Sequence, residues 1–179
     1  FQIDKRYISR LKKDFEDITI SKSYSGEGIV ISNDKAKGVI LKGIDKSEKN
    51  IIEFFGNFTS QGDLNNFNSN KVFIGSELAF NLNLKKDDTI NLMTSSFVGT
   101  PLGNLPKQEN FKVAGIFNTG FIEFDQNVIF INIEDALSIF NKDDKDQNIE
   151  IYLEDPLEAN FYKENIKKLN ENYFIYTWS

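Results

Sequence analysis

Two acidic groupings carry most of the chemistry this chain could attempt. Glu123 and Asp125 stand two residues apart, and Asp143-Asp144-Lys145-Asp146 brings three carboxylates into four positions. A carboxylate pair is the equipment of glycoside hydrolysis, but it works only when the two groups flank a substrate from opposite sides. Two acids two residues apart on one loop or strand do not meet that condition. A cluster of aspartates could begin a calcium loop, yet the spacing, glycine and closing glutamate of an EF-hand are missing, and a solvated turn is the expectation. Gly26-x-Gly28 has neither the third glycine nor the following helix of a dinucleotide site. Lys163, Lys167 and Lys168 read as the wet face of a helix. The chain contains no histidine and no cysteine, so the commonest general base, metal ligand and thiolate nucleophile are all missing. A non-enzymatic domain is expected, with no catalytic residue, metal or cofactor.

The remaining concentration of unusual residues is Ser96–Gln108. These thirteen residues hold two of the three prolines and two of the eleven glycines, and they separate two strand-like segments, 89–94 and 110–117. Hairpin connections usually take two to five residues, so a longer one invites a functional reading. Proline lacks an amide donor, which is expected to keep Pro101 and Pro106 out of any strand ladder. Phe97, Val98, Leu102 and Leu105 are interleaved with these breakers. Apolar anchors on a stiff segment suit a protruding recognition loop, because little entropy remains to be lost on binding. The alternative is a loop folded back with the same side chains in the core.

The elements that must carry this loop follow from periodicity. Residues 3–16 have apolar positions at helical spacing. Segments 18–23 and 29–31 read as strands around a turn at Gly26 and Gly28, and 38–44 as a buried strand after a turn at 33–34. Residues 45–70 are poorly legible. A short strand at 72–74 precedes a helix capped by Ser76, and 128–131 is a strand before a helix that Asn132 caps through Phe140. Segment 148–153 is a strand, a helix from Asp155-Pro156 turns Phe161, Tyr162, Ile166 and Leu169 inward, and 173–177 closes as a strand. The fold class is α+β, a single domain 1–179 with two subdomains. One is built from both ends (1–44 plus 128–179), and an inserted β-rich one (45–127) carries the hook at 95–106.

Length, 40% hydrophobic and 27% charged residues suit a packed domain. A net charge of −6 argues against nucleic acid and against anionic lipid surfaces. No stretch reaches the roughly 18 to 20 apolar residues that cross a bilayer, so this segment is expected to be soluble. It opens on Phe1 and stops after Trp178-Ser179, as a piece cut from something longer would.

Several segments in order resemble the periplasmic domain of lipoprotein-releasing ABC transporter permeases, the LolC/LolE family. They are Gly38–Ile44, Val72–Ala79, Asp88–Leu92, Thr100–Pro106, Phe111–Phe117 running into Gly120–Asp125, Ile133–Ala136 and the aromatic stretch to Trp178. The resemblance covers roughly Ile18 to Trp178. It implies a two-subdomain α+β fold like that of MacB-type transporters, lying on the periplasmic side of the inner membrane as part of a multi-pass protein. The implied partners are a second permease subunit, a cytoplasmic ATPase subunit that hydrolyses ATP, lipoprotein cargo, and a periplasmic chaperone (LolA-like). In LolC-type permeases a proline-containing hook docks into the chaperone's hydrophobic cavity. On that resemblance Phe97, Val98, Pro101, Leu102, Leu105 and Pro106 are the hook, and Asn91, Lys107 and Gln108 the rim contacts. The hook's flanks depart from the family in offering one positive charge, Lys107, and the hook is slightly shorter. A LolC-like recruiter is favoured over a LolE-like subunit. The rivals are a force-transmitting domain of an efflux-type ABC permease without a chaperone, and a carbohydrate module using Glu123 and Asp125.

Overall fold

The computed structural model describes residues 5–15, 18–32, 34–101, 103–153, 155–169 and 174–177. Leu102, Asn33, Tyr173 and Trp178 lie outside the described residues. In chain order the elements are α1 (Lys5–Asp14), β1 (Ile18–Ser32), β2 (Lys35–Ile44), α2 (Lys49–Phe58), β3 (Thr59–Gly62), β4 (Lys71–Gly75), α3 (Ser76–Leu82), β5 (Thr89–Thr100), β6 (Gly103–Phe117), α4 (Ile122–Asn127), β7 (Val128–Asn132), α5 (Ile133–Ile139), β8 (Asn148–Leu153) and α6 (Ala159–Leu169). The α+β class read from the sequence is the class observed.

The chain divides into two compact units, 1–21 with 149–179, and 22–148. The sequence drew these boundaries at 44/45 and 127/128. The division falls nearer the ends because β2 pairs in parallel with β7, Ile40 against Val128 through Ile44 against Asn132, and β7 pairs in turn with β4, Ile131 against Val72, so both strands go with the middle of the chain. In the smaller unit the Tyr7 hydroxyl donates to the Ile166 carbonyl at 3.2 Å, and the Phe15 and Tyr162 rings lie 5.4 Å apart. Ile166 is buried there, but Phe161 is 63% exposed, against the expectation that it faces inward. Residues 174–177 form no strand, so the closing strand is not found among the described residues.

In the larger unit the strand pairings close on themselves. β1 pairs with β2, β2 with β7, β7 with β4, β4 with β6, β6 with β5, and β5 returns to β1. Alternation then sorts side chains onto two faces. Val72 and Ile74 enter one core with Leu41, Ile90 and Ile129, packed with α3 and α5. Phe73, between them in sequence, enters a second core with Phe55, Phe67, Phe117 and Phe130. The second core exists because α2 presents Ile51, Phe54, Phe55 and Phe58 at helical spacing. Its rings meet edge-on or tilted, Phe55 to Phe73 at 4.7 Å and Phe117 to Phe130 at 5.3 Å, the geometry aromatic quadrupoles prefer.

Two local expectations are corrected. Gly26 and Gly28 lie inside one continuous strand, β1, rather than in a turn. A side chain at Gly26 would strike the Phe140 ring, so glycine there admits a neighbour instead of reversing the chain. Helix α3 begins at Ser76 with Gly75 as its N-cap, and no side chain caps it. Glycine is required at 75 because a Cβ would collide with the Asp125 backbone carbonyl. Asn132, by contrast, caps α5 as expected, its side chain accepting from the Glu134 N–H at 2.9 Å.

Candidate docking arm

The segment read as a long loop is a two-stranded arm. β5 leaves β1 after the Gly28–Thr94 pair, and β6 meets β4 only from Lys112 onward. Between these points β5 and β6 pair with each other alone, down to Thr100 opposite Gly103. Thr100 Oγ1 closes the tip by donating to the Gly103 carbonyl at 2.7 Å, and Gly103 sits at φ +117°, a region that favours glycine.

Proline did not exclude this ladder. Pro101 is in the turn, as expected, but Pro106 lies within β6 opposite Phe97. The reason is which way the backbone points. The Phe97 carbonyl accepts from Asn141 Nδ2 at 3.1 Å, so it faces away from β6. Phe97 and Pro106 therefore form a non-hydrogen-bonded pair, where the missing amide would also point outward.

The arm's apolar side chains are not folded back. Phe97 is 57% exposed, Val98 46% and Leu105 52%, and Pro101 and Pro106 are also exposed. The register pairs Phe97 with Pro106 and Val98 with Leu105. Because successive strand residues face opposite sides, each face of the ribbon carries one apolar pair. Such a ribbon cannot be dried by a flat surface. It suits a concave one that wraps both faces.

At its root the arm is bulged. Between the Met93–Gln108 and Phe97–Pro106 pairs, Thr94, Ser95 and Ser96 lie opposite Lys107 alone. Bulges of this kind bend a strand and re-aim the residues beyond them. The bulge also rests on the end of α5, where Thr94 Oγ1 donates to the Ile139 carbonyl at 2.9 Å. The anticipated rim residues separate across the ribbon. Asn91 Nδ2 donates to Asn110 Oδ1 at 3.1 Å, and Gln108 lies on that same face by alternation. Lys107 lies on the other, its Nζ 2.6 Å from the Ser138 carbonyl and 3.4 Å from Glu109.

The acidic groupings are structural. Glu123 and Asp125 fall in helix α4 rather than in a loop or strand. Asp125 is buried and accepts from the Thr119 N–H at 3.1 Å and the Thr119 hydroxyl at 2.7 Å, so it staples the preceding turn. Asp146 accepts from the Asp143 N–H at 2.9 Å, and that bond holds its carboxyl below the usual range. Among the described residues no three acids are grouped to hold a metal ion. None of the helices among them is long and apolar enough to cross a membrane.

Thr94, Ser138 and Asn141 belong to the arm's root and were not singled out from the sequence. The available signal was Asn141 just past a helix, where asparagine commonly takes the left-handed conformation; its φ is +52°.

No protein-family model matches the chain. It is 33% identical over 162 residues to the lipoprotein-releasing system transmembrane protein LolC of Buchnera aphidicola subsp. Schizaphis graminum, covering 80% of this chain and 38% of that protein. It is 24% identical over 159 residues to the LolC of Neisseria meningitidis serogroup B, covering 87% of this chain and 38% of that protein. The chain thus spans well under half the length of these relatives. Among solved structures, the extracellular domain of the noncanonic ABC-type transporter YknZ from Gram-positive bacteria superposes with a TM-score of 0.59 at 14% identity, over 95% of this chain and 83% of that one. The periplasmic region of MacB from Actinobacillus actinomycetemcomitans superposes with a TM-score of 0.57 at 15% identity, over 94% and 73%. In sequence the chain is LolC-like, and in fold it is like the domains of MacB and YknZ.

Proposed function

We propose that this chain is the extracytoplasmic, non-enzymatic domain of an inner-membrane permease that releases lipoproteins and hands them to a LolA-like periplasmic chaperone through the β5–β6 arm. ATP hydrolysis belongs to a separate cytoplasmic subunit, and a second permease subunit completes the transporter. Phe97, Val98, Pro101, Leu102, Leu105 and Pro106 are the docking residues, with Asn91 and Gln108 at the rim. One observation carries the reading: an arm with apolar pairs exposed on both faces, which only a cavity can cover. Burying two or three such side chains contributes roughly 3 to 6 kcal/mol gross. With backbone and rim contacts added and ordering costs subtracted, affinity falls in the micromolar range. Titration calorimetry of this domain with the chaperone of the same organism should show saturable binding, weakened by Pro101→Gly through lost stiffness and contact. A Pro101→Gly variant that binds as tightly as the parent removes the docking role.

The likeness to the MacB and YknZ domains favours a second reading, a force-transmitting domain that meets no chaperone. Deleting residues 97–106 from the full-length permease separates the two. Lipoprotein release is lost under the first reading, and transport survives under the second.

A further inference from the structure

A single side chain holds both strands of the arm to the body of its unit. Asn141 Nδ2 donates to the Phe97 carbonyl of β5 at 3.1 Å, and Asn141 Oδ1 accepts from Lys107 Nζ of β6 at 3.3 Å. The two bonds use the amide's opposite ends, which fixes its orientation. Asn141 is itself anchored by its backbone N–H on the Ser138 carbonyl at 3.0 Å, the same oxygen that takes Lys107 Nζ at 2.6 Å. The left-handed φ of +52° places the side chain there, beyond the last turn of α5. Lys107 is drawn to the same place because the carbonyl end of a helix favours a cation.

The tether lies where the arm needs one. The three-against-one bulge at Thr94–Ser96 interrupts the ladder immediately before Phe97, and beyond it the arm has no neighbouring strand among the described residues. A two-stranded ribbon is marginal on its own, and a bulged root would let it swing. We infer that Asn141 is a positioning residue for docking: by linking Phe97 and Lys107 to the end of α5 it sets the direction of the arm before any partner arrives. The consequence for binding rests on the proposed docking role. The consequence for the arm itself does not. Lys107 then serves chiefly as the tether's second leg, and the interaction with the chaperone depends little on the arm's own charge.

Asn141→Gly tests this cleanly, because glycine keeps the left-handed backbone and removes only the amide. Asn141→Asp keeps an acceptor for Lys107 and loses the donor to Phe97. The chain has no cysteine, so spin labels can be attached through Asn104→Cys at the tip and Lys86→Cys on the body, and their distance distribution measured by pulsed electron resonance without any partner. The parent should give a narrow distribution, Asn141→Gly a broad one, and Asn141→Asp one between. Chaperone affinity, measured on unlabelled protein, should fall about fivefold in Asn141→Gly, the value of one lost hydrogen bond of typical strength. A distribution as narrow in Asn141→Gly as in the parent overturns the tether, whatever happens to binding. If the distribution broadens and the parent itself fails to bind the chaperone, the tether stands and the docking reading falls. If it broadens and affinity is unchanged, Asn141 orients the arm without positioning it for docking, and that part of the inference is overturned.

Discussion

The arm and the phenylalanine core are built from the same materials and end in opposite states. Both set Phe and Val side chains on strands of one sheet, and both draw on β6, which supplies Leu105 to the arm and Phe117 to the core. Phe73 and Phe117 are fully buried, whereas Phe97 is more than half exposed. The difference is a cover. α2 lies over the second core, while the arm has left every neighbouring strand behind. Burial of one set stabilises the fold, and the other set retains its apolar surface for a partner. Folding and docking energies are thereby carried by separate residues of one continuous strand.

The largest test of that separation is Phe73→Ala. It should cost about 3–5 kcal/mol in urea unfolding, as for other buried phenylalanines, and a loss below 1 kcal/mol would mean the second core is not a true core. Gly75→Ala comes next, at about 1–3 kcal/mol or more, because the atom in the way is the backbone of Asp125 and cannot turn aside. Phe97→Ala should reverse the pattern. Stability changes by no more than about 0.5 kcal/mol, as at exposed sites generally, while chaperone affinity falls about tenfold or more, as at an interface hot spot. Equal loss of stability in Phe97→Ala and Phe73→Ala would erase the distinction between the two regions. The smallest effect is that of salt. Within residues 95–110 the charged groups are Lys107 and Glu109, which pair at 3.4 Å. Raising ionic strength from 50 to 500 mM should therefore change affinity by less than about twofold, since screening acts on unpaired charge. A steep loss with salt would assign docking to rim charges instead of the apolar arm.

Much of this was legible in the sequence, and the illegible parts share a cause. Runs such as Val128–Ile131 and the Asn132 cap announce themselves through local pattern, and both lie where expected. The breaker-rich segment with its apolar side chains identified the candidate site, though as a loop. Pro106 misled because a proline's tolerance depends on the direction in which its missing amide would point, which is a property of the partner strand. Gly26 misled because its partner, the Phe140 ring, is more than a hundred positions away. Residues 45–70 resisted reading because α2 takes its meaning from the sheet face it covers and β3 from its pairing with β6.

What the sequence by itself determined, then, is what depends on neighbours a few residues away: the periodic helices and strands, the acidic balance, the missing nucleophiles, and the concentration of apolar side chains near two prolines. The tertiary structure alone decided that those side chains stand on a ladder with one apolar pair on each face, and that Asn141 ties both of its strands to α5. The tether rests on contacts between residues 31 to 44 positions apart. No local pattern encodes such contacts, because they form only once the rest of the sheet has brought their partners together.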